Sequence, residues 1–250
     1  MRYFIKLGYK GTNYHGWQIQ PNAITVQELV NKALSLIFRT EINVVGAGRT
    51  DTGVHAEQLY VHLDVTSEFD IGETIYKLNG ILPKDIVVKD ILKTTATAHA
   101  RFDAVQRTYE YRILQEKNPF FIDTTWQLIN KKLKLEKMNE AAEILLNYTD
   151  FECFSRSNSD VKNYICDITH AEWIQNDTSL IFYISANRFL RNMVRAIVGT
   201  LIDVGLGKTT IEDFRNIILS KNRSKAGASV PPQGLFLSKI DYPNIIFINE

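Results

Sequence analysis

Between Gly46 and Ala56 the chain reads Gly-Ala-Gly-Arg-Thr-Asp-Thr-Gly-Val-His-Ala, with three glycines, an arginine, an aspartate and a histidine in one short stretch. Few loops need that combination for folding alone. One chemistry it suggests is phosphate binding, because glycine lets backbone N–H groups approach an anion. The details go against it. No Gly-Lys-Ser/Thr is present, and Asp51 stands where the last glycine of Gly-x-Gly-x-x-Gly belongs, so its carboxylate would repel a phosphate. A tight turn in which Asp51 caps its own backbone needs no ligand at all. On pattern alone, that turn and a chemical use of the loop stand side by side.

A second set of residues lies further along. Arg188, Arg191 and Arg195 fall at i, i+3 and i+7, which on one helix is a single arc of about 60°. They flank the apolar Leu190, Met193, Val194 and Ile197. A solvated basic stripe accounts for Arg188 and Arg191 taken singly, whereas Arg195, at the edge of the apolar face, is expected to have a partner. Arg107, Tyr109 and Tyr111 alternate and so point to one face of a strand, with Tyr111 read as core. Cys153 and Cys166 form no Cys-x-x-Cys and have no histidine pair near them, so they read as two reduced structural thiols and no metal site is expected.

The rest of the chain must position these groups. A composition of 45% hydrophobic and 23% charged residues is that of a globular protein and excludes disorder as the main state. No apolar run approaches the ~20 residues of a membrane span, and the first residues lack a signal peptide's apolar region, so a cytoplasmic location without membrane partners is expected. The net charge of +1 is low for a small nucleic-acid-binding domain. Basic charge is local instead: from Asn187 to Lys225 eight basic residues face three acidic ones, and the remainder is net acidic.

Periodicity predicts a strand at Arg2–Tyr9, a helix from Val26 with Thr25 and Glu28 as a capping box, strands at 42–45 and 59–66, a helix begun by Asp70 and Glu73, and a strand at 86–92. The second half predicts a strand at 107–114, a helix at 135–146, and paired strands at 165–174 and 180–186. It continues with a helix at 188–204, a capped helix from Thr209 and a strand at 235–240. Each half reads β-α-β-β-α-β. The expected fold class is therefore α+β: two ferredoxin-like (βαββαβ) halves, 1–100 and 101–250, with mainly antiparallel sheets, helices on one face and a cleft between them.

The loop also resembles the active-site loop of the TruA family of tRNA pseudouridine synthases, in which Gly-Arg-Thr-Asp-x-Gly-Val-His carries the catalytic aspartate. Matches extend along nearly the whole chain: Tyr9-Lys10-Gly11-Thr12, Gly16-Trp17-Gln18, His99-Ala100-Arg101-Phe102, Arg107-x-Tyr109-x-Tyr111, Phe189-Leu190-Arg191-Asn192-Met193-Val194-Arg195 and Pro232-x-Gly234-Leu235. Asp103 and the Ser229-Val230-Pro231-Pro232 run depart from the usual pattern. The resemblance implies an isomerase that cuts the bond from uracil N1 to ribose C1′, rotates the base and joins C5 to C1′. No cofactor, metal or nucleotide would be needed. It implies Asp51 as the catalytic carboxylate, acting on C1′ or removing the 2′ proton, with Arg195 as its partner. Tyr109 would stack on the target uracil and assist loss of the C5 proton. Arg49, Thr50, Gly53, His55, Arg107, Arg188 and Arg191 would lie along the RNA, although local backbone bonding serves a loop histidine such as His55 equally well. The implied partners are tRNA, at the 3′ side of its anticodon stem-loop (tRNA positions 38–40), and a second copy of the chain in a homodimer.

Three other readings are weighed. A catalytically silent RNA-binding module would be expected to lack Asp51 or Tyr109, and both are present. A glycoside hydrolase needs a second carboxylate about 5–9.5 Å from the first, and no motif supplies one. A related synthase acting elsewhere on tRNA shares the same chemistry.

Overall fold

β1 (Arg2–Tyr9) is buried along nearly its whole length, with Phe4 and Leu7 fully inaccessible. In the computed structural model, which describes residues 1–157 and 163–248, it lies between two antiparallel neighbours and has no edge to expose. The chain forms two compact units, Met1–Val105 with Phe236–Glu250, and Gln106–Leu235. The first unit runs β1, α1 (Val26–Phe38), β2 (Val45–Gly46), β3 (His55–Asp64), α2 (Ile71–Ile81) and β4 (Ile86–Thr94). β1 pairs antiparallel with both β3 and β4, and β2 adds a short antiparallel pairing to β3. Asp70 caps α2 by accepting the Glu73 N–H at 2.7 Å, as its spacing predicts.

Two local expectations fail. The Thr25–Glu28 capping box does not form: Thr25 is fully buried and its hydroxyl finds no partner among the described residues, although α1 starts at the expected residue. Of the strand expected at 42–45, only Val45 pairs. Side chains of α1 bond the backbone that follows it: Asn31 Oδ1 accepts from Val44 N–H at 3.1 Å, Gln27 Nε2 donates to the Val44 carbonyl at 2.9 Å, and Ser35 Oγ accepts from Ile42 N–H at 2.9 Å. Ile42 and Val44 are buried, as alternate residues of a half-buried strand would be, yet side chains of α1 satisfy the backbone in place of a ladder.

The second unit contains β5 (Gln106–Leu114), β6 (Trp126–Gln127), α3 (Leu135–Ile144), β7 (Ile168–Asn176), β8 (Ser179–Ala186), α4 (Met193–Gly205) and α5 (Ile211–Leu219). β8 pairs antiparallel with β5 and β7, the latter across a turn where Asp177 takes φ +50°. α3 buries the expected Met138, Ala141 and Ala142. α5 carries a capping box one residue later than expected, with Thr210 and Asp213 bonded reciprocally. β9 (Leu235–Asp241) forms where predicted, but from Phe236 onward it belongs to the first unit. There it pairs parallel with β3 at His55 and Ala56, and Ile240 N–H donates to Gln58 Oε1 at 2.9 Å. The fold is thus mixed α+β with mainly antiparallel pairing. Among the described residues no helix is long and apolar enough to cross a membrane.

His62 in β3 accepts the Ala100 N–H through Nδ1 at 3.1 Å in the interior of the first unit. Burial, assisted by the nearby Arg2 and His99, pulls its pKa down to about 4. An unfolded chain returns it to about 6.5, so between those values the unfolded state binds more protons and stability rises with pH. The expected result is a melting temperature that falls as pH drops from 6.5 to 4. In His62→Gln, which keeps an acceptor that does not titrate, that slope should flatten.

Candidate active site

The loop carrying Asp51 is gripped by the backbone of its own unit. Ala47 N–H donates to the Tyr60 carbonyl at 2.8 Å, Trp17 N–H to the Thr50 carbonyl at 3.2 Å, and Gly53 N–H to the Tyr14 carbonyl at 3.3 Å. Val54 N–H closes the turn on the Asp51 carbonyl at 3.1 Å. Beneath it the hydroxyls of Tyr9 and Thr50 share a buried hydrogen bond of 2.8 Å. Thr50 is therefore turned inward, while Arg49 before it is exposed and Asp51 after it is half-buried. Gly53 takes φ +77°, a backbone conformation that costs a side-chain-bearing residue about 1–2 kcal/mol.

Close approach is what the early glycines permit. A Cβ on Gly11 would lie 2.0 Å from the Val54 carbonyl oxygen, and one on Gly16, at φ +85°, would lie 2.3 Å from that of Thr50. A Cβ on Gly48 would meet nothing within 4 Å. Gly11→Ala should then displace the loop and cost about 1–3 kcal/mol, several degrees in Tm for a chain of this length. Gly48→Ala should melt with the parent, and thermal denaturation of the pair checks the contrast.

His55, for which an RNA contact and local backbone bonding are both open from the sequence, takes the second place. It is 1% exposed, its Nδ1 accepts the Gly11 N–H at 2.9 Å, and its ring stacks on Phe236 at 4.5 Å. Because β3 begins at His55, the histidine belongs to the sheet that anchors the loop and not to the loop's outer surface.

In the second unit Tyr109 lies on β5 opposite Ile184 of β8, half-buried, with its ring edge-on to Phe189 at 5.1 Å and 86°. Arg107, on the same face, donates from Nη1 to the Asn187 carbonyl at 2.7 Å. Tyr111 is fully buried, burial pushes its hydroxyl above the ordinary tyrosine range, and it donates to the Pro231 carbonyl at 2.8 Å, which is a core role.

Arg195 lies in the first turn of α4, half-buried, its Nε donating to the Val230 carbonyl at 2.7 Å while Val230 N–H donates back to the Arg195 carbonyl at 3.2 Å. The single arc of three arginines is not formed. α4 starts at Met193, after Asn192 in the left-handed region at φ +65°, so Arg188 and Arg191 sit on an exposed connection after β8 and not on the helix. The i, i+3, i+7 spacing carries no geometry across that break.

Arg223, counted from sequence as one of the local basic charges, turns onto its own loop and bonds the carbonyls of Ala226 and Gly227. Burial pushes the thiols of Cys153 and Cys166 up to about 12 and about 11, which leaves them protonated and unreactive. Among the described residues no group of three or more His, Cys, Asp or Glu is placed to hold a metal ion.

A family model described as tRNA pseudouridine synthase matches residues 141–243. The chain is 52% identical over 248 residues to a tRNA pseudouridine synthase A of Bacteroides fragilis, covering 98% of each chain. It is 50% identical over 249 residues to one of Parabacteroides distasonis, again 98% of each. It is also 42% identical over 240 residues to one of Thermoanaerobacter pseudethanolicus, covering 95% of this chain and 98% of the relative. On that extent of identity, carried by a sequence whose Asp51 loop, strand tyrosine and helix arginine are all in place, the chain belongs to the tRNA pseudouridine synthase A family.

Proposed function

We propose that this chain isomerises uridine to pseudouridine in tRNA, on the 3′ side of the anticodon stem-loop, with Asp51 as the catalytic carboxylate. The observation that carries the assignment is 52% identity to a tRNA pseudouridine synthase A across 98% of both chains. Breaking the N1–C1′ bond develops positive charge on the sugar, which a carboxylate stabilises or captures, as in glycoside cleavage. The base then rejoins through C5, the C5 proton leaves and N1 takes one up, so the product is an isomer of the substrate. Asp51 serves the ribose, and Arg195 is its proposed partner. Tyr109 stacks on the uracil, which is worth about 1–3 kcal/mol against the few kcal/mol of flipping the base out.

The exposed Arg49, Arg188 and Arg191 suit contacts to phosphates or to the gap left by the extruded base. Arg107, bonded to the Asn187 carbonyl, supports the connection that carries Arg188 and Arg191. Thr50, Gly53 and His55 act by shaping the Asp51 loop. We also infer that each unit is a ferredoxin-like half, the first supplying the aspartate and the second the tyrosine and arginine. The enzyme would work in the cytoplasm as a homodimer, and the local basic charge would serve recognition by shape, which suits RNA.

The test is incubation with an unmodified tRNA transcript, without added metal or nucleotide, followed by selective labelling of pseudouridine and primer extension. Pseudouridine in the anticodon stem-loop is expected. Pseudouridine elsewhere keeps the chemistry and moves the target, and none on a tRNA that is still bound overturns the assignment.

A further inference from the structure

The geometry points to Arg223 as a positioning residue for Arg195. Residues 226–230 lie along the first turns of α4 so closely that a Cβ on Gly199 would fall 1.8 Å from the Ala228 carbonyl oxygen, and Gly227 N–H donates to Thr200 Oγ1 at 2.9 Å. At the end of this strap Val230 fixes Arg195 twice, accepting from its Nε at 2.7 Å and donating to its carbonyl at 3.2 Å. The position of the Val230 carbonyl thus bears on the direction of the Arg195 guanidinium.

Arg223 sets that in turn. Its half-buried Nη1 donates to the carbonyls of Ala226 at 3.3 Å and Gly227 at 3.0 Å, and its Nη2 donates to Ser229 Oγ at 2.9 Å. The same Ser229 oxygen accepts from Asn192 Nδ2 at 2.6 Å, and Asn192 is the left-handed residue from which α4 begins. One planar fork thus closes the strap on itself and, through Ser229, ties it to the residue three before Arg195. A lysine ammonium has the charge but not the fork. The Ser229 hydroxyl, part of a run that departs from the usual family pattern, is the shared acceptor that joins the two.

The inference rests on the assignment of Arg195 as the partner of Asp51, and the test separates the two. On the tRNA transcript, Arg223→Gln and Arg223→Lys should lower kcat by about ten- to a hundredfold, the range of losing hydrogen bonds to a charged group, with KM for tRNA within about threefold. Ser229→Ala should fall in the same direction, and Ser229→Thr should restore turnover. Arg195→Lys combined with Arg223→Gln should be no slower than Arg195→Lys alone, because a residue acting through Arg195 has nothing left to position. Losses that multiply in the double variant, or a rise in KM with kcat intact, overturn the inference; the latter would make Arg223 a phosphate contact. Should the parent chain form no pseudouridine, the functional assignment fails. The inference is then decided by a crystal structure of Arg223→Gln, in which the Arg195 Nε to Val230 bond should be lost and its survival is the contrary result.

Discussion

Asp51→Asn should form pseudouridine at least about a thousandfold more slowly than the parent, while binding tRNA within about threefold. The size follows from the role: one positioned proton-transfer group contributes up to about 10²–10⁴-fold, and a carboxylate attacking the sugar contributes no less. A thousandfold is about 4 kcal/mol of transition-state stabilisation. The substitution is nearly isosteric, and the loop around it is held by groups other than the carboxylate: the backbone bonds at Ala47, Thr50, Gly53 and Val54 and the buried Tyr9–Thr50 pair. The loop shape should survive, so a lost rate can be charged to the missing negative oxygen. Rates come from single-turnover labelling of the transcript, affinity from filter binding, and integrity from the melting curve. A variant that turns over normally would end the catalytic role of Asp51.

That loop shows what the sequence could and could not reveal. The residue pattern alone leaves a tight turn and a chemical use of the loop side by side, and only the length of its resemblance to a known active-site loop favours the second. Its support was not legible. Gly11 and Gly16 stand out only as glycines in a matching segment, and only their distances to Val54 and Thr50 show that they make room for the loop. His55 shows the same limit: its type fits either an RNA contact or a bond to local backbone, and only the start of β3 at His55, which draws it into the core against the Gly11 N–H, selects the second.

Periodicity gave the elements whose apolar residues repeat without interruption, such as β1, α3 and β8. It failed where a single residue changed the backbone. Asn192 in a left-handed conformation ends any helix continued from Arg188, so a spacing valid within a helix does not hold across its start. At 42–45 the apolar pattern was real, but the hydrogen bonds came from Gln27 and Asn31, residues distant in sequence and polar in a helix otherwise read by its apolar stripe. Local patterns register burial well. They do not register which partner satisfies a buried backbone group.

Tyr109→Phe is the second large effect, and it separates two jobs that one side chain would perform. The phenyl ring keeps the stacking surface, and the edge-on contact with Phe189 at 5.1 Å needs no hydroxyl, so the ring should keep its orientation on β5. Affinity for tRNA should then stay within about threefold, since stacking on a base, worth about 1–3 kcal/mol, is preserved. The hydroxyl is what the substitution removes, and with it the group placed to assist departure of the C5 proton. Turnover should fall by about 10²–10⁴-fold, the range of a positioned general acid or base. Tyr109→Ala should lose both, with weakened binding added to the slow rate. The contrast with Tyr111 sharpens the expectation. Tyr111→Phe, two residues along on the same face, removes a hydroxyl that donates to the Pro231 carbonyl inside the core, and should lower the melting temperature and leave the chemistry in place. If Tyr109→Phe turned over normally while Tyr109→Ala bound poorly, the tyrosine would be a stacking platform only, and the proton would have to leave by another route.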